Sequence, residues 1–244
     1  MSAATFEPGA AVVYVATGES FPDALAGGPL AGARGAPILL TSRGALPAAT
    51  AAELERLDPA AITVLGGPAA VADGVLTALD AFTDGPVQRL AGASRFSTAA
   101  AISAEGFADG AETAYVATGD NFPDALAGGA AGATTGRPVL LTSRGSLPAE
   151  TRAELERLAP ETILVLGGSA AVSADVLAAL QDLAGGDVRR LSGADRFATA
   201  AAIAADTFPA TAPAVFLATG GGFPDALAGA PAAAAAGGPL LLVQ

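Results

Sequence analysis

Three aspartates recur in this sequence inside one pentapeptide, Phe-Pro-Asp-Ala-Leu, at Asp23, Asp124 and Asp225, each 101 positions beyond the last. A carboxylate repeated in register suggests a general base or a metal ligand. Nothing in a repeat supplies it with a second carboxylate at fixed spacing, and an Asp beside Pro in an opening helical turn is ordinary capping chemistry. The other usual catalytic groups are missing: the 244 residues include no Cys and no His. That removes thiol nucleophiles, disulfides, Cys/His zinc sites and every triad built on imidazole. All 12 basic residues are Arg, whose planar fork suits carboxylate and phosphate but cannot serve as a base. The residues therefore point to binding, with no catalytic residue, metal site or cofactor assigned.

Four arginines stand in repeated register. Arg43 and Arg144 lie in the two LTSRG strings, and Arg95 and Arg196 follow Gly-Ala-Ser and Gly-Ala-Asp. The last two fall in the first turn of a helix, where the dipole disfavours a cation. Two compensations are open: a carboxylate partner, Asp23, Asp124 or Asp225, across a module or a module interface, or a bound anion. Arg43 and Arg144 read either as solvated loop side chains or as ligands for phosphate or carboxylate. Thr17-Gly18, Thr118-Gly119 and Thr219-Gly220 end apolar runs, as do Gly66-Gly67 and Gly167-Gly168. Their glycines either offer backbone N–H groups to an anion or only permit tight turns.

These residues are positioned by a repeat. TGESFPDALAGG begins at Thr17, TGDNFPDALAGG at Thr118 and TGGGFPDALAGA at Thr219. LTSRG at Leu40 and Leu141, VLGG at Val64 and Val165, and Arg-Leu-Ala/Ser-Gly at Arg89 and Arg190 keep the same shift. A full unit reads as four strand–helix pairs. Val12–Thr17 is a strand, and Phe21-Pro22-Asp23 opens a helix through about Ala33. Pro37–Thr41 is a second strand, followed by a helix from Pro47. Ile62–Leu65 is a third, with a helix through Val75 and Leu79. Val87–Leu90 precedes a helix from Arg95 to about Glu105. Short apolar strands alternating with helices predict parallel sheets covered on both faces, and right-handed crossovers make them doubly wound and Rossmann-like. About ten strands are expected in all, four in each of the first two copies and two in the last.

Composition narrows the partner. A net charge of −12 argues against nucleic acid, whose phosphates need a broad basic surface. The hydrophobic fraction of 52% is swollen by Ala, and aromatics make up only 5%, so sugar-stacking platforms are not expected while close helix packing is. Ala226–Gln244 carries no charged side chain, but its Pro and Gly, and its alignment with a segment holding Arg137, predict helix plus strand and no membrane span. Met1–Ala11 has neither a basic start nor a long apolar core, so no export signal is read there.

The strings RLSGADRFATAAAIA, VFLATGGGFPDALAG, PLLL, LTSRGSLP and ILVLGGSAAVSADVLAAL, in this order around the repeat, resemble the cell wall binding repeat 2 family over nearly the whole chain. The resemblance implies modules in threes about a pseudo-threefold axis, beside an effector domain. It implies non-covalent retention of an exported protein on a Gram-positive cell wall by an anionic wall polymer, teichoic-acid-like or another secondary polymer. In that framing the modules are 1–87, lacking its first helix, 88–188, complete, and 189–244, lacking its second half. The chain is then expected to be a fragment of an extracellular, wall-associated protein. The family's anchoring-linked strand motif falls on Ile38-Leu39-Leu40, Val139-Leu140-Leu141 and Leu240-Leu241-Leu242. Read for themselves, these are buried strands.

The expected function is thus non-catalytic wall anchoring. Arg43, Arg144, Arg95, Arg196 and the three Thr-Gly pairs are the candidate polymer contacts, and the aspartates are interface or ion-pair residues. Two alternatives stay open. One is a nucleotide- or small-molecule-dependent enzyme, although no GxGxxG follows a strand and TGGGFPDAL only imitates one. The other is an assembly module that binds its own repeats alone.

Overall fold

The computed structural model describes residues 1–121, 123–208 and 211–244, and for Pro123 and Asp124 the backbone alone. The first unit runs β1 (Val13–Thr17), α1 (Pro22–Ala33), β2 (Ile38–Thr41), α2 (Ala48–Leu57), β3 (Ile62–Leu65), α3 (Asp73–Leu79), β4 (Val87–Leu90) and α4 (Arg95–Gly106). The second runs β5 (Thr113–Thr118), α5 (Pro123–Thr135), β6 (Val139–Thr142), α6 (Ala149–Leu158), β7 (Thr162–Leu166), α7 (Ala174–Gln181), β8 (Asp187–Leu191) and α8 (Arg196–Thr207). The third has β9 (Phe216–Thr219), α9 (Pro224–Ala235) and β10 (Leu240–Val243).

The strands form three parallel sheets, ordered β2-β1-β3-β4, β6-β5-β7-β8 and β10-β9. The register repeats as well: Thr17 pairs with Thr41, Thr118 with Thr142, and Thr219 with Val243. In the first sheet, chain order departs leftward from β1 to β2 and rightward from β3 to β4, which is the doubly wound pattern expected. β1 is buried along its whole length, as a strand covered on both faces must be. Pro22 and Pro224 take the first position of α1 and α9, where the missing N–H is no loss. Pro47 and Pro148 stand one residue outside α2 and α6, extended at ψ 144° and 147°. The helices there begin one residue later than Pro alone suggests.

Side chains alternate between two layers. Val13 and Val15 face outward to α2 and α3 in a cluster with Leu54, Leu57, Val75 and Leu79, and β5 to β7 repeat this cluster with α6 and α7. Tyr14 and Ala16 face inward, to a core shared by all three units. Its axis is made by α1, α5 and α9, which pack against one another pairwise. Helix α4 bridges units, packing on α1 and also on β6 and α6, and α8 does the same between α5 and β10. Among the described residues, no helix is long and apolar enough to cross a membrane.

Candidate functional site

Open parallel sheets offer ligands a crevice beyond the carboxyl ends of the strands, where chain order reverses. In the first sheet that place lies between β1 and β3. A crevice of about 270 Å³ opens there, lined by Ser20, Asp23, Gly67, Ser94, Arg95 and Thr98 among others. Asp23 enters from the first turn of α1 and is only 8% exposed. Loss of water pushes its carboxyl pKa up, and the nearby positive charge of Arg95 pulls part of the way back. Gly66 closes over it in the left-handed region, at φ +102°. A Cβ there would stand 2.2 Å from Asp23 Oδ2. The Gly-Gly turn thus meets two demands, its backbone conformation and the close approach of the carboxylate.

Arg95 starts α4, whose N-cap Ser94 exchanges hydrogen bonds with Ser97 in a capping box. Its guanidinium donates to the carbonyl of Gly119, and Arg196, at the start of α8, donates to the carbonyl of Gly220. The unfavourable helix-end position is thus met by a carbonyl of the next Thr-Gly loop. Arg95 and Asp23 share the crevice, but no salt bridge joins them among the described residues. The Asp124 side chain lies outside the described residues. Asp225, in the same register on α9, is exposed, because the third sheet has no strand and Gly-Gly turn to lie over it.

The Thr-Gly pairs are engaged within the fold. Thr17, Thr118 and Thr219 each accept the N–H of the residue two ahead, all at 3.1 Å. Gly18, Gly119 and Gly220 donate to Thr41 O, Thr142 O and Val243 O at 2.7–2.8 Å. The adjoining LTSRG loops are pinned at both sides. The Arg43 N–H donates to Glu19 Oε1 and the Arg144 N–H to Asp120 Oδ2, each at 3.0 Å. The carbonyls of Arg43 and Arg144 accept from Ala72 and Ser173 at 2.8 Å. Both side chains are exposed at the carboxyl edge. Arg144 Nε donates to Ala170 O, whereas the Arg43 guanidinium has no partner among the described residues.

The hydrophobic triplets lie away from the edge. Ile38, Leu39, Val139, Leu140, Leu141, Leu240 and Leu242 are buried, and Leu40 and Leu241 are partly so. Their strands carry the TSRG loops, so any effect on binding is transmitted through loop position. Two functional-edge residues escaped sequence reasoning. Arg89 Nη1 donates to Gly66 O at 2.7 Å while its Nη2 meets Asp73 at 2.9 Å. Arg190 Nη1 donates to Gly167 O at 2.6 Å and its Nη2 to Val172 O at 2.9 Å. These clamps hold the Gly-Gly turns; their signal was the recurrence of Arg in the Arg-Leu-Ala/Ser-Gly string, which served only as a landmark.

A tandem, doubly wound repeat with a polar carboxyl edge defines a binding scaffold, and comparison gives its class. The Cell wall binding domain 2 (CWB2) family matches residues 2–76, 89–177 and 190–244, and the chain belongs to that family. It is similar to N-acetylmuramoyl-L-alanine amidase LytC of Bacillus subtilis (strain 168), 32% identical over 164 residues, 67% of this chain and 32% of the amidase. It is 35% identical over 156 residues to the amidase enhancer of the same organism, 64% of this chain and 21% of that protein. The chain therefore spans about a third or less of these relatives. Among solved structures, Cwp6 from Clostridium difficile superposes with a TM-score of 0.90 at 27% identity, over 96% of this chain and 38% of that one. Cwp8 from the same organism gives 0.88 at 29%, over 99% and 42%. This chain is a non-catalytic cell-wall-binding region.

Proposed function

We propose that the region holds an exported protein at the outside of a Gram-positive cell through non-covalent contact with an anionic wall polymer, teichoic-acid-like or another secondary polymer. The contact runs along the carboxyl edge of the sheets, with Arg43 and Arg144 as principal ligands and Arg95 and Arg196 as secondary ones. The Thr-Gly loops serve as their scaffold. The modules of this reading are 1–87, 88–188 and 189–244, and the matched intervals, which resume at 89 and 190, support that division. The observation that carries the proposal is the pair of TSRG loops, each pinned through its backbone while its guanidinium is left at the surface.

The electrostatics set the strength. A chain of net charge −12 attracts a polyanion only where Arg is concentrated, and Glu19 and Asp120 lie beside the two arginines. Each exposed contact is then weak and screened by salt, and retention depends on several repeats engaging one polymer. Co-sedimentation with Gram-positive walls tests this, before and after acid extraction of their anionic polymers and across a salt series. The expected result is binding that extraction and salt both abolish. The double variant Arg43→Ala/Arg144→Ala should lose about tenfold or more in affinity while its stability changes by no more than about 0.5 kcal/mol. Undiminished binding to extracted walls, or by the double variant, would overturn the polymer assignment.

A further inference from the structure

The opposite edge of the first sheet carries a second pocket. It lies at the amino ends of β1, β3 and β4, has a volume of about 310 Å³, and is lined by Val12, Tyr14, Arg34, Thr63, Gln88 and Glu105 with two alanines. That size is at the lower end of the roughly 300–1,000 Å³ spanned by ligand pockets. Tyr14 is 4% exposed as a residue, and its hydroxyl, at the open pocket, has no hydrogen-bond partner from the protein among the described residues. Arg34 caps the end of α1 and Glu105 lies in the last turn of α4. These two charges face the same space but form no salt bridge among the described residues. Both reach the phenol: burial raises the Tyr14 pKa, Arg34 lowers it and Glu105 raises it again. A carboxylate at a helix carboxyl end is also poorly placed against the dipole and the unpaired carbonyls there.

In the second repeat the side chains at the same place are paired. Tyr115, at the position of Tyr14, receives Arg137 Nη1 at 3.2 Å, and the guanidinium lies 5.9 Å from the ring centre. Arg189, at the position of Gln88, pairs with Asp206, at the position of Glu105, at 2.6 Å. Leu164 replaces Thr63. Every polar group left open in the first unit is thus satisfied or removed in the second. In the first unit Gln88 instead donates to Thr63 Oγ1 at 3.2 Å, lining the pocket with polar atoms.

We propose that the first-unit pocket binds a compact zwitterion, the ammonium-and-carboxylate head group of an α-amino acid. Its carboxylate pairs with the Arg34 guanidinium and its ammonium with Glu105 and the carbonyl end of α4. The Tyr14 hydroxyl completes the hydrogen bonding, and a small side chain lies over Val12. Opposite charges held apart across one pocket match a ligand that carries both, whereas a simple anion or cation satisfies only one of them.

The chain has two tyrosines and no tryptophan, so Tyr115→Phe leaves Tyr14 as the sole fluorescent reporter. Titration of that variant with L- and D-alanine at millimolar concentrations, checked by calorimetry on the unaltered protein, should give saturable one-to-one binding. N-acetylalanine and alanine methyl ester, each lacking one charge, should bind about tenfold more weakly, as should alanine to Arg34→Gln or Glu105→Gln. Gln88→Arg imports the closing pair of the second unit and should abolish binding in a protein that unfolds normally. Nε-acetyl-lysine separates the sources: affinity equal to alanine's indicates a head group borne on a larger molecule, and its exclusion indicates a free amino acid. Absence of saturable binding by the folded protein, or binding indifferent to Gln88→Arg, would overturn the proposal.

Discussion

The axial core and the two peripheral cores are built from different residues. Between the sheets and their outer helices the buried side chains are Val, Ile and Leu apart from Ala114, with Leu54, Leu57, Leu79 and their repeats fully or almost fully enclosed. Around the axis, α1, α5 and α9 are rich in Ala and Gly, and backbones approach where side chains would otherwise interlock. A Cβ added to Gly32 of α1 would lie 2.4 Å from the carbonyl oxygen of Ala133 on α5. The periphery therefore secures each sheet by apolar volume, and the axis secures sheet to sheet by closeness. Stability within a unit and cohesion between units rest on separate residues.

The largest expected effect tests the independence of the peripheral cores. Leu54→Ala empties a fully buried position of the first one and should cost about 2–5 kcal/mol by urea denaturation. Its loss of amide exchange protection should concentrate in α2, α3 and the first sheet, and Leu155→Ala should do the same in α6, α7 and the second. Equal loosening of both cores by either variant would break the distinction. Gly32→Ala is next. Helix propensity favours it by about 0.5–1 kcal/mol, but the overlap is with backbone, which cannot rotate away. Overpacking should dominate, at a net cost of about 1–3 kcal/mol. Protection should fall in α1 and α5 together while the peripheral cores hold. A stabilised Gly32→Ala protein would show that the axis has slack.

Much of this was legible in advance, and the reason is physical. A repeat of 101 residues with short apolar strands between Pro-started helices leaves few alternatives to parallel, doubly wound sheets. The parallel strands, ten among the described residues, and the position of the FPDAL helices follow from patterns local in sequence, whereas the order β2-β1-β3-β4 is set by how the strands pair. The site was legible only as a set of residues at one edge. Which carbonyl meets Arg95 depends on how α4 docks against β6 and α6 of the next unit, and Gly119 is distant in sequence. The different burial of Asp23 and Asp225 depends on what lies over each helix start, which no motif reports. The amino-edge pocket differs from the paired side chains of the second unit at positions such as Gln88 and Arg189, ordinary in a strand until their neighbours are known.

The smallest expected effect asks where the axial helices stop being packing and become site. Asp23 and Asp225 occupy the same turn of α1 and α9, one buried and one exposed. Burial holds the Asp23 pKa above its unfolded value, so between the unfolded and folded pKa values the native state carries the extra proton. Stability from this group therefore falls as pH rises through that window, and the cost persists to neutrality. Removing the charge should reverse it: Asp23→Asn should be more stable than the parent at pH 7, and the advantage should vanish below the ordinary carboxylate range. Asp225→Asn should change stability by no more than about 0.5 kcal/mol at either pH. The opposite sign for Asp23→Asn at pH 7 would mean that attraction to Arg95 and the helix dipole outweighs desolvation. Asp23 would then be a structural partner of Arg95. With the expected sign, the carboxyl group is held at the carboxyl edge at a cost to folding, which is the behaviour of a group retained for what it meets in the crevice.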